Sequence, residues 1–190
     1  MKQKFVACFL CSLFYFSGLI AQSNLHEIRF AKPNPANLGF YLQSNKADYS
    51  LSNKKPLVVE LNGCSQSAET IALQSGWDKL EDANNFYVLY PQQKILNNPN
   101  LCFNWFNSND ISKEQVEAAS IKNIILHLSD SLAIDKNRIF VYGASAVAAM
   151  PVVLMALYPE IFKAGASLAG APFGCANDFF KALRIMIDGT

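Results

Sequence analysis

Gly143-Ala144-Ser145-Ala146-Val147 sets a serine among small residues, after the apolar run Arg138-Ile139-Phe140-Val141-Tyr142 and before a second apolar stretch reaching Tyr158. A serine on a sharp strand-to-helix turn presents its hydroxyl above a sheet, and only small neighbours fit so tight a turn; this is how a nucleophile for acyl transfer is held. Ser145 is therefore the candidate nucleophile. The pattern departs from Gly-x-Ser-x-Gly at its last position, where Val147 stands for glycine. The oxyanion formed in acyl transfer needs two backbone N–H donors, one from the residue after the nucleophile and one from a loop after an earlier strand. Ala146 occupies the first of these positions. The loop Asn62-Gly63-Cys64-Ser65, directly after the strand-like Leu57-Val58-Val59-Glu60-Leu61, occupies the second, although an ordinary turn that needs glycine accounts for it equally well.

A serine also needs a base, and in α/β-hydrolases the chain order is Ser, then acid, then His. Both histidines, His26 and His127, precede Ser145, and 45 residues follow it. His127 falls inside an expected helix and reads as a packed or surface helix residue, and His26 is assigned no role. Of the later acids, Asp178 is expected in the first turn of the last helix, where the helix dipole favours it, and Asp188 at that helix's end. Pro151 is expected inside the helix after the serine, at a cost of roughly 3 kcal/mol unless the helix kinks.

The elements that position these residues alternate. A strand is expected at about Leu38 to Leu42, a buried strand at 57–61, a helix from about Ala68 to Ala83 behind Ser67, and a strand at 86–90 stopped by Pro91. A long polar loop, Gln92 to Ser112, carries Cys102-Phe103-Asn104-Trp105-Phe106 and reads as tied down by its aromatics and cysteine. Then come a helix at about Lys113 to Leu132, the strand at 138–142, a helix from Ala146 to Tyr158, a short strand at 164–168 and an amphipathic helix from Asn177 to Ile187. Strands alternating with helices predict a parallel sheet with helices on both faces.

Sixteen Lys and Arg balance fifteen Asp and Glu, giving a net charge of +1, so no nucleic acid or anionic surface is implied as partner. With 51% hydrophobic residues the chain fits one globular domain. Lys2 and Lys4 precede an uncharged apolar run, Phe5 to Ala21, with small or polar residues at Gly18, Ala21 and Ser23. This reads as a signal peptide over residues 1–21, followed by a domain over 22–190; a membrane anchor is the alternative. Export permits disulfides. The mature chain keeps Cys64, Cys102 and Cys175; a Cys64–Cys102 bridge with Cys175 left over is the expectation, although sequence does not fix connectivity.

Several segments together resemble the polyhydroxybutyrate-depolymerase family of secreted esterases, which has feruloyl and acetylxylan esterase relatives. They are Pro56 to Glu69, Ser75-Gly76-Trp77, Val88-Leu89-Tyr90-Pro91-Gln92, Asn98 to Phe106, Ile134-Asp135 with Arg138, Tyr158-Pro159-Glu160 and Ala169 to Ala176. The resemblance covers about Leu38 to Ile187. It implies an α/β-hydrolase fold, a parallel sheet flanked by helices with its C-terminal strands missing here. It further implies carboxylic ester cleavage through an acyl-enzyme and a Ser-Asp-His triad, without cofactor or metal. By resemblance Ser145 is the nucleophile and the amides of Cys64 and Ala146 are the oxyanion donors. The resemblance implies an ester substrate, either a polyester or an acylated small molecule or polysaccharide. With the signal-peptide reading, it implies an extracellular or periplasmic location, with no membrane anchor expected after signal cleavage. Asn62 departs from the family's histidine before the oxyanion glycine, and the triad acid and base have no match. Two other readings stay open: a truncated, catalytically inactive fragment, or a non-catalytic exported binding protein.

Overall fold

The computed structural model describes residues 25–44 and 53–189, so the expected signal segment lies outside the described residues. The apolar run at 57–61 lies within β3 (Lys55–Leu61), and the run at 138–142 within β5 (Ile134–Ala144). β3 pairs in parallel with β4 (Tyr87–Gln92) on one side and with β5 on the other. Beyond β5, β6 (Ala164–Leu168) adds in parallel. β2 (Gly39–Gln43) runs antiparallel to β4, and β1 (Leu25–Glu27) antiparallel to β2, giving one six-stranded sheet in the order β1-β2-β4-β3-β5-β6.

The expected parallel sheet is present in β4, β3, β5 and β6, and the antiparallel β2 and β1 at one edge make the whole sheet mixed. β1 has three residues, too few to carry an alternating pattern. Pro91 does not end its strand, because β4 continues to Gln92. The pairing of β4 with β3 stops at Leu89, so Pro91, opposite Phe40 of β2, has a strand neighbour on one side alone.

Alternation along β3 divides two cores. Leu57, Val59 and Leu61 face a large cluster with α3 (Val116–Ser131) and α4 (Ala149–Leu157), including Ile121, Ile124, Met150 and Leu154. Val58 faces a smaller cluster with Ala68, Ala72, Val88 and Tyr90, under α1 (Ala68–Ser75) and α2 (Trp77–Asn84). Helices therefore cover both faces, as predicted. The single helix expected at 68–83 is two: Ser67 caps α1 by accepting from the Thr70 amide, and Gly76 ends it at φ 76°, a left-handed turn that re-aims the chain into α2. α5 (Phe179–Asp188) follows β6 and contributes the buried Ala182 to the large cluster.

The helix expected from Ala146 begins as a 3-10 turn, Ser145–Ala148, and α4 starts at Ala149. Pro151 thus sits in the first turn of α4, where backbone N–H groups lack a partner four residues back, and the expected interior-proline penalty does not arise. No described helix is long and apolar enough to cross a membrane.

Candidate active site

Gly143 is the last residue of β5 paired with β3, opposite Leu61. A β-carbon on Gly143 would lie 2.9 Å from Pro151 Cγ, so glycine lets the first turn of α4 sit directly over the strand end. Two residues on, Ser145 is exposed and takes φ 66°, in the left-handed region that costs a non-glycine residue about 1 kcal/mol or more. The surroundings hold it there. Val147, at the position where the motif has glycine, is fully buried in the large core. Ser167 Oγ at the end of β6 donates to the Ala148 carbonyl at 2.7 Å. Gly170 approaches so closely that a β-carbon would stand 2.7 Å from the Ala148 carbonyl carbon.

Ser145 and Ala146 open onto a cavity of about 210 Å³ whose walls include Trp105, Ala169, Gly170 and Met186. Cys64 does not line this cavity, but it lies on the loop that leaves β3 at the same sheet end, three residues past Leu61 just as Ala146 is three past Gly143. That loop is tightly folded. The buried Asn62 side chain donates to the carbonyls of Gly63 and Gln66, each at 3.1 Å, and the Gly63 amide donates to Gln66 Oε1 at 2.9 Å. Cys64 is bridged to Cys102, and the Ser65 amide donates to the Asn100 carbonyl at 2.7 Å. The expected bridge is thus present, and Cys175 is a free, half-buried thiol.

Neither histidine reaches Ser145. His26 and His127 line a different cavity, between β1 and α3, and the His127 ring packs 5.5 Å from that of Phe30. Asp178 is the N-cap of α5, accepting from the Lys181 amide at 2.8 Å, and Asp188 at the helix end pairs with Arg184 at 3.5 Å. Both acids do the helix-end work expected of them, and neither lines the Ser145 cavity.

A polar cluster with no sequence signature stands behind the cavity. Glu117, near the start of α3, is fully buried; its carboxyl accepts from Gln93 Nε2 at 2.5 Å, Asn104 Nδ2 at 2.8 Å and the Asn104 amide at 2.9 Å. Burial, with the Asp110 carboxylate beside it, pushes the Glu117 carboxyl up to about 8, and burial raises Asp110 to about 6. Trp105 was legible only as part of an aromatic loop; its place in the cavity wall was not.

Residues 40–190 match the family model described as Esterase PHB depolymerase. The chain belongs to this family. Poly(3-hydroxyalkanoate) depolymerase C of Paucimonas lemoignei is 40% identical over 157 residues, 83% of this chain and 37% of that protein. Feruloyl esterase B of Thermothelomyces thermophilus is 27% identical over 155 residues, 81% of this chain and 51% of its own. Among solved structures, an acetyl xylan esterase from Aspergillus awamori matches with a TM-score of 0.74 at 23% identity, over 83% of this chain and 56% of that one, a likeness of fold. The chain spans between about a third and a half of the length of these curated relatives. Family membership and the α/β-hydrolase-type fold are as the sequence predicted.

Proposed function

We propose that this chain carries the nucleophile half of a secreted carboxylic ester hydrolase, with Ser145 as nucleophile and the amides of Cys64 and Ala146 as oxyanion donors. The observation that carries the reading is the backbone of Ser145: a non-glycine residue in the left-handed region, at the end of a parallel strand, with its hydroxyl at a cavity. Strain of this kind persists where the surroundings over-determine it, and it sets the hydroxyl above the sheet for attack on an acyl carbon. Attack forms a tetrahedral intermediate and then an acyl-enzyme, which water releases. The substrate class is an ester of a polyester or of an acylated small molecule or polysaccharide, in keeping with the names of the relatives. Export is supported by the apolar leader and by the Cys64–Cys102 bridge, which belongs in an oxidising compartment.

The position of both histidines away from Ser145 favours a second reading, a binding module that keeps the fold's cavity without its proton shuttle. Turnover of a short-chain aryl ester by the mature chain and by Ser145→Ala separates the two. The enzyme reading expects a rate well above that of the variant; equal rates support the binding module.

A further inference from the structure

We propose that the buried Glu117 carboxyl is a positioning residue for the Ser145 cavity, holding Trp105 in the cavity wall through Asn104. The inference depends on the function proposed above only in taking this cavity as the substrate site. Asn104 is clamped from three sides: Glu117 accepts from its amide at 2.9 Å and from its Nδ2 at 2.8 Å, and Asn98 Nδ2 donates to its Oδ1 at 2.8 Å. The next residue is Trp105, which is 3% exposed and lines the cavity beside Ser145. Gln93 extends the clamp, donating through one Nε2 to Glu117 at 2.5 Å and to the Cys102 carbonyl at 3.2 Å. The same carboxyl thus ties down both the tryptophan wall and the cysteine that anchors Cys64.

Glu117, Gln93 and Asn104 are each less than a tenth exposed, and so are Asn98 and Asp110. A polar cluster of this kind is sensitive to any lost acceptor, because the freed donors stay buried. Glu117 is also the one member that takes donors from both Asn104 and Gln93, so its loss releases the chain leading into Trp105 at two points, Cys102 and Asn104. Asp110, on the loop before α3, is the charged group that acts on Glu117, and Gln93 and Asn104 on the other segments packed there are neutral. With Glu117 raised to about 8, alkaline pH places two negative charges in this dry cluster, and the clamp loosens.

The test uses Trp105 as its own reporter. The chain has two tryptophans, so Trp77→Phe leaves Trp105 alone. Acrylamide quenching of Trp105 is measured in that background with and without Glu117→Leu, which keeps the bulk but removes both acceptor oxygens. The proposal expects the quenching constant to rise about twofold or more in a protein that still melts cooperatively. A cooperative melt with unchanged quenching overturns it and leaves Glu117 a residue of general stability. If Glu117→Leu does not fold, quenching of the Trp77→Phe protein from pH 6 to 9.5 decides: a rise centred near pH 8 supports the proposal and a flat trace overturns it. Neither readout needs turnover, so a failed clamp is distinguishable from an inactive Ser145, which the aryl ester comparison reports.

Discussion

Ser145 carries its proposed chemistry on Oγ and its strain on the backbone and β-carbon. At φ 66° the β-carbon of any L-residue is penalised, and removing the hydroxyl alone leaves that penalty in place. Ser145→Ala and Ser145→Gly both lack the hydroxyl, yet the glycine variant is relieved of the β-carbon. The expected outcome is a Ser145→Gly protein more stable than Ser145→Ala by about 1 kcal/mol, despite the larger entropy that glycine loses on folding. Urea unfolding of the two variants side by side checks this, and an alanine variant as stable as the glycine one removes strain from the account. The sequence marks this residue because small neighbours in a row are visible as residue types. It does not mark Glu117, because the burial of a glutamate depends on Gln93 and Asn104, which lie 24 and 13 residues away.

The strands and helices were legible wherever an apolar run was long enough to show its period, as in β3, β4 and β5. They were misread where tertiary contacts decide the boundary. Gly76 divides α1 from α2 by its left-handed backbone, and Pro91 survives in β4 because β3 has already ended its pairing there. The loop from Gln93 to Gln115 is the extreme case: it has little regular structure and is held by side chains and one disulfide. The Cys64–Cys102 bridge spans a sequence separation of 38 residues. By the loop-entropy relation, closing a ring of that size stabilises the fold by about 4 kcal/mol. The Cys64→Ser/Cys102→Ser protein is therefore expected to unfold at a clearly lower urea midpoint, with greater proteolytic cutting between Gln93 and Gln115 than elsewhere. Equal midpoints for the oxidised protein and the double variant would refute the role given to the bridge.

At the scale of the molecule, two carboxyls buried on different sides of the sheet give the fold an unusual dependence on pH. Glu60 is fully buried under α1, takes one hydrogen bond from Ser75 Oγ at 3.0 Å on Oε2, and has no partner on Oε1. Burial pushes it up to about 8, the value Glu117 reaches in its own cluster. A carboxyl whose pKa is raised on folding keeps its proton while the unfolded chain loses it. Its contribution is whole below the unfolded value of 4.5 and is lost as pH rises through about 8. The exposed Asp130 and the half-buried Asp135 have the opposite sign, since Lys32 and Arg138 hold them below the usual range, but they act only under strongly acid conditions. Stability should therefore fall from pH 5 to pH 8.5, where many proteins stay level, by an amount on the order of 4 kcal/mol for each buried carboxyl at the upper end. Glu60→Gln imitates the protonated acid, so it should flatten part of this slope and leave the Glu117 part, with the largest gain over the native chain at the alkaline end. Urea midpoints at pH 5, 7 and 8.5 for the two proteins measure it. Parallel, flat profiles would mean that both glutamates ionise inside the fold without cost and would overturn this account.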